Sequence, residues 1–235
     1  MTTLVSAPGP VTVPIAGTRD AFPVRHVYCV GRNYAEHTKE MGGDTREPPF
    51  FFTKAADNIV PIVPPAVGGI AYPLATKSLH HEIELVVAIG RSGVRVAPEE
   101  ANGLIFGYAV GLDMTRRDLQ GQMKDKRWPW DIGKSFAQAA PISLIHPVDA
   151  VGHPSKGAIW LDVNGSRRQQ GDLADMIWDV PHMLHFLSQY YELMPGDVVF
   201  TGTPAGVNAV VPGDRLHGGI DGLDTLSVDI LPARW

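Results

Sequence analysis

The run HHEIELVVAIG, residues 80–90, constrains the fold more than any other stretch of the chain. Ile83 and Leu85 through Ile89 form an apolar series without alternation. Such a series reads as a strand buried on both faces, an element that needs apolar packing above and below it. Glu82 and Glu84 interrupt it. Residues i and i+2 of a strand point to one face, so two carboxylates project side by side from an apolar element. Burying one carboxylate is costly, and burying two like charges together costs more. Either a cation neutralises the pair, or the glutamates mark the solvent side of an amphipathic strand.

The rest of the chain favours a β-rich fold. Its 235 residues are 44% hydrophobic, enough for a large core, and they carry 25 Gly and 20 Pro. That density of turn formers implies many short elements rather than a helix bundle. A net charge of −5 argues against nucleic acid as a partner. Cys29 is the single cysteine, so no intrachain disulfide can form and a cytoplasmic location is expected. The N-terminus lacks the pattern of a secretory signal, and no segment approaches the about 20 apolar residues that span a bilayer. Residues 1–22, with prolines at 8, 10 and 14, read as an extended arm ahead of one domain over 23–235.

Local signals divide that domain. VRHVYCVG (24–31) and FFFTKA read as strands, and NYAEHTKEM (33–41) as a short helix stopped by Gly42-Gly43. A further strand ends near Asp113, and RRDLQGQMKDKRW reads as helical or coiled. Asn164-Gly165 is the strongest hairpin signal, and a helix is expected from near Pro181 with Met183, Leu184 and Leu187 on one side. LMPGDVVFTGTPAGV reads as turn, strand, turn, and the two Pro-Gly-Asp sequences at 195–197 and 212–214 as turns.

Three features carry chemistry. Glu82, Glu84 and Asp113, the last at the end of GYAVGLD, offer hard oxygen ligands suited to Mg²⁺ or Mn²⁺, with Ca²⁺ possible in a crystal. His80 and His81 invite a zinc reading, but no zinc-site spacing accompanies them. His37 and Glu40, three apart, share a helix face, where the carboxylate would raise the basicity of the imidazole toward water; an ordinary exposed pair has the same spacing. The glycines and the loop behind them, about 33–49 in all, would let this segment act as a lid. Arg117 and Gln120 follow Asp113 closely, Lys134 sits in IGKSF, and Thr203 lies in the turn TGTP. Lys134 can equally be a surface charge, and the Thr203 turn can hold a carboxylate or only turn the chain.

The ordered set VGRNYAEHTKEM, FFTKAADNIV, HHEIELVVAIG, GYAVGLDMTRRDLQ, WDIGKSF and DVVFTGTPAGV resembles the fumarylacetoacetate hydrolase family in its short form, from about Val27 to the C-terminal strand. FPVRHVYCVGRNYAEH and REPPFFFTKAADNIVP are most similar to its fumarylpyruvate-cleaving, acylpyruvase branch. The resemblance implies an α+β, mainly β fold of layered mixed sheets with few short helices, and a homodimer. It assigns Glu82, Glu84 and Asp113 to the metal, His37 and Glu40 to water activation, and Lys134 to catalysis. Arg117, Gln120 and Thr203 would hold the pyruvoyl end of a small acidic keto acid. Arg32, with Lys126 and Arg127, could meet a distal carboxylate.

The implied reaction is metal-dependent hydrolysis of the C–C bond of an acylpyruvate, fumarylpyruvate to fumarate and pyruvate, within aromatic acid breakdown through gentisate. Cleaving that bond needs a nucleophile at the acyl carbonyl and a sink for the electrons left on pyruvate, and a divalent cation supplies the sink. Relatives that decarboxylate oxaloacetate, or that isomerise or hydrate dienoates, share such a site. A non-enzymatic module whose carboxylates bind metal only for folding is the other reading of the same residues.

Overall fold

The strand Ile83–Ile89 is buried along its whole length and lies inside a mixed sheet of eight strands. The computed structural model describes residues 9–34 and 47–234. The sheet runs Phe50–Lys54, Val27–Gly31, Val198–Phe200, Ile83–Ile89, Ile105–Leu112, Ala140–Ile142, Ile59–Pro61, with His146–Pro147 also paired to Ile105–Leu112. A five-stranded sheet, Ser166–Asp172, Ala158–Val163, Arg215–Ile220, Leu226–Leu231, Gly68–Ala71, covers one face. Helices are few and short, the longest described being Arg117–Lys126. The architecture is the expected layered, mainly β arrangement.

Period-two alternation divides the core around the central strand. Ile83, Leu85, Val87 and Ile89 pack toward the five-stranded sheet with Ile159, Leu161 and Leu216. Val86 and Ala88 point the other way, into a second cluster with Cys29, Ala109, Ile142 and Phe200. Glu84 shares that second face by alternation. The strand is therefore apolar on both sides because both sides are covered, which removes the solvent-facing reading of the glutamates.

Residues 12–23 do not form the expected extended arm. Thr12–Pro14 and Ala21–Pro23 pair into a hairpin whose Val13 and Phe22 are buried in the second cluster. Alternation explains it: Val13 and Phe22 are the register partners that face inward, and the prolines occupy strand ends that need no ladder donor. Other local readings hold. The Asn164-Gly165 turn joins Ala158–Val163 to Ser166–Asp172, with both turn residues at positive φ. The helix Val180–Leu187 starts one residue ahead of Pro181, capped by the Asp179 side chain on the His182 N–H (3.0 Å). In both Pro-Gly-Asp turns the aspartate accepts from the backbone N–H three residues earlier, Met194 to Asp197 (2.9 Å) and Val211 to Asp214 (2.8 Å).

Glycines set the closest approaches. Gly111 is the register partner of Glu84, and a Cβ there would lie 2.6 Å from both Phe200 and Val86. Phe200 itself is fully buried against this bare stretch of backbone. Phe200→Ala is expected to cost about 3–5 kcal/mol of stability, the range for a large buried aromatic. Urea unfolding measures it; a loss below about 1 kcal/mol, within the range of surface substitutions, would contradict this packing.

Candidate active site

Strand ends bring the acids together. The ladder between Ile83–Ile89 and Ile105–Leu112 continues one step through the Asp113 N–H to the Glu82 carbonyl (2.8 Å), so both residues leave the sheet side by side. Carboxylate oxygens of Glu82, Glu84 and Asp113 lie within 4.8 Å of one another, and all three residues are buried.

Three cations answer them. Lys134 Nζ bridges Glu82 (2.7 Å) and Asp113 (2.6 Å). It is delivered by the four-residue helix Asp131–Lys134, which packs so closely on Gln120 that a Cβ at Gly133 would lie 2.9–3.0 Å from it. The glycine of IGKSF is thus a packing requirement. Arg117, first residue of its helix, pairs with the other Glu82 oxygen and donates to Gln120 Oε1 (2.6 Å). Lys54 Nζ lies 2.8 Å from Asp113 Oδ1 and also donates to the Met114 carbonyl (3.2 Å). Sequence reasoning assigned Lys54 no role. Its signal was a lysine closing the apolar strand FFFTK, where burial requires a partner.

Three acidic and three basic side chains balance in charge. Burial alone would lower the pKa of Lys134, but Asp113 and Glu82 raise it above the ordinary lysine value. It acts as a fixed ammonium rather than a proton acceptor. Glu84 differs from its neighbours: it accepts the Gly202 N–H (2.8 Å) and makes no ion pair among the described residues. Burial, with Asp113 and Glu82 beside it, holds its pKa well above the carboxylate range. An all-oxygen donor set with one under-compensated member fits a hard divalent cation such as Mg²⁺ or Mn²⁺. The histidines do not join it. His80 accepts from Arg117 Nε (3.4 Å) and pairs with Ser78 (3.0 Å), and burial with the adjacent guanidinium pushes it down to about 4. It is a neutral support for Arg117, and among the described residues no histidine joins the three carboxylates.

Thr203 and Arg32 complete the cavity wall with Phe52 and Trp130. The Arg32 guanidinium lies over the Phe50 ring, 5.7 Å from its centroid. Lys126 lies over Trp128 instead (4.5 Å), and Arg127 caps the helix end in a left-handed conformation; neither lines this cavity. His37 and Glu40 lie outside the described residues.

The fumarylacetoacetate hydrolase C-terminal family matches residues 26–231. The chain belongs to the fumarylacetoacetate hydrolase family. Among its members, the fumarylpyruvate hydrolase of Ralstonia sp is 44% identical over 188 residues, 80% of this chain and 95% of that protein. The mitochondrial oxaloacetate tautomerase of Rattus norvegicus is 39% identical over 211 residues, 90% of this chain and 94% of that one. The crystal structure of fumarylpyruvate hydrolase from Pseudomonas aeruginosa in complex with Mn²⁺ and pyruvate is 51% identical, with a TM-score of 0.96 over 98% of this chain and 100% of that one. This family member is thus an enzyme of the fold that the sequence motifs implied.

Lys54→Met is expected to destabilise the metal-free protein by about 1.5–3 kcal/mol, because buried Asp113 loses one of its two ammonium partners and keeps only Lys134. Saturating Mn²⁺ should recover part of the loss in urea unfolding. Unchanged stability of the metal-free variant would show that Lys54 does not compensate Asp113.

Proposed function

We propose that this protein hydrolyses the C–C bond of an acylpyruvate, with fumarylpyruvate as substrate and fumarate and pyruvate as products. The observation that carries this reading is the cluster of Glu82, Glu84 and Asp113 beneath Lys134, Arg117, Gln120 and Thr203. Likeness of the whole chain to the fumarylpyruvate hydrolase crystallised with Mn²⁺ and pyruvate supports it. A divalent ion held by the three carboxylates would draw electrons from the keto acid's oxygens and so ease departure of the pyruvate carbanion.

The side chains do the rest. With all six side chains ionised their charges cancel, so a bound dication would leave the site near +2, which suits a dianionic keto acid. Arg117, anchored by Glu82 and His80, and Thr203 hold the pyruvoyl end. His37, supported by Glu40, takes a proton from water, and the hydroxide adds to the acyl carbonyl. Lys134, charged throughout, offsets the oxyanion. Collapse breaks the C–C bond, forms the fumarate carboxyl, and leaves the electron pair on the pyruvate methylene, which takes up a proton.

A second cavity, lined by Phe50, Ile177 and Trp178 among others, shares Gly31 and Arg32 with the first. In this reading the four-carbon acyl arm points toward that extension, where Arg32 meets its terminal carboxylate. Gentisate breakdown and the cytoplasm are the setting for such a substrate, and a homodimer is the expected assembly. A second reading, oxaloacetate decarboxylation or tautomerisation, is favoured by the oxaloacetate tautomerase relative, and it uses the same pyruvoyl half-site.

With Mn²⁺ the protein is expected to release fumarate and pyruvate from fumarylpyruvate and to stop on chelation. Oxaloacetate run in parallel decides between the readings: brisk turnover of oxaloacetate with none of fumarylpyruvate moves the function to the second. Asp113→Ala should abolish turnover, and activity surviving it would sink the metal-site assignment. His37→Ala should lower the rate at least about a hundredfold, the usual contribution of a general base, while Mn²⁺ affinity stays unchanged; loss of Mn²⁺ binding instead would remove His37 from the role of base.

A further inference from the structure

Gln169 lies outside the cavity wall, on the Ser166–Asp172 strand of the five-stranded sheet, and is fully buried. Its carboxamide is committed on both sides. Oε1 lies 3.1 Å from the Ile83 N–H and 2.8 Å from His81 Nδ1, while Nε2 lies 2.8 Å from Thr203 Oγ1 and 2.9 Å from the Pro204 carbonyl. The two backbone partners leave no freedom in the assignment. A backbone N–H can only donate, so the atom facing Ile83 is the oxygen; a carbonyl can only accept, so the atom facing Pro204 is the nitrogen. Two consequences follow. His81 must carry its proton on Nδ1. Thr203 must accept from Gln169, so its own hydroxyl proton points elsewhere.

We propose that Gln169 is a positioning residue: by donating to Thr203 Oγ1 it aims the Thr203 hydroxyl proton into the cavity, toward an oxygen of the bound keto acid. The inference rests on the keto-acid reading of the site. Thr203 is buried and lines the cavity beside Glu84, Lys134 and Arg117, where an anionic oxygen is the natural acceptor. A hydroxyl free to rotate would spend part of its time donating to another acceptor. One already filled by a donor is preorganised, and its reorientation costs nothing when ligand binds. The same amide also holds the backbone N–H of Ile83, the residue between the two glutamates. The support for the Thr203 hydroxyl thus comes from the sheet opposite the one that bears the acids.

The test is calorimetric affinity for pyruvate at saturating Mn²⁺, with the full chain. Thr203→Val should weaken pyruvate binding by about tenfold, the value of one well-placed hydrogen bond, while Thr203→Ser keeps it. Gln169→Met, and Gln169→Glu, which preserves the acceptor for Ile83, should each weaken it several-fold when Thr203 is present. Neither should weaken it by more than about twofold in the Thr203→Val background, because an effect that acts through one hydroxyl vanishes with it. A residue with only a structural role would show the same loss in both backgrounds, and that result overturns the inference. So does undiminished pyruvate affinity in Thr203→Val, a result that needs no Gln169 variant to fold. Failure of the unsubstituted protein to bind pyruvate at all would overturn the keto-acid reading itself, a separate outcome.

Discussion

Everything in this structure turns on how three carboxylates are kept together away from water. Like charges that close repel strongly in a medium of low dielectric, and each loses its hydration on burial. Lys54, Lys134 and Arg117 answer the repulsion pairwise for Asp113 and Glu82. Glu84 has only a backbone N–H from Gly202 among the partners described, and its pKa rises accordingly. That inequality makes the cluster a cation site rather than a closed salt-bridge network: compensation is complete for two acids and incomplete for the third.

The scaffold exists to hold that inequality in place. A strand covered on both faces cannot shift register without burying its charges among leucines and valines. Neighbouring strands fix the remaining groups: Val198–Phe200 leads into the Gly202 N–H and Thr203, Ile105–Leu112 ends at Asp113, and Phe50–Lys54 ends at Lys54. Side chains carried on strand ends move little, which suits preorganised electrostatics. Lys134 and Arg117 come instead from two short helices that pack on each other through Gly133.

Much of this was legible before any coordinates. Glu82, Glu84 and Asp113 stood out because acids in an apolar strand violate the expected pattern, and such violations concentrate at functional sites. The hairpin at Asn164-Gly165 and the helix at Pro181 followed from local turn and capping chemistry, which does not depend on distant residues. What was missed depends on tertiary contact. Lys54 reads as an ordinary strand-end lysine until the sheet order places it beside Asp113. Gln169 sits in a polar stretch, SRRQQGD, where nothing distinguishes it from Gln170 except the face that alternation buries. The N-terminal hairpin was hidden by its prolines, which suggested an arm because their ladder-free positions become visible only once Val13 and Phe22 are seen to pair.

The most direct test of the central claim is the stoichiometry and affinity of Mn²⁺ binding to the substrate-free protein, measured by titration against Glu84→Gln. The carboxamide keeps the shape and the Gly202 contact but removes the charge that lacks an ammonium partner. The account predicts one tightly bound ion per chain, with affinity falling at least about a hundredfold in the variant, on the scale of losing a charged ligand from a buried site. Equal affinity in the two proteins would mean that Glu84 is not the member of the cluster that calls for a cation, and the electrostatic account of this site would be wrong.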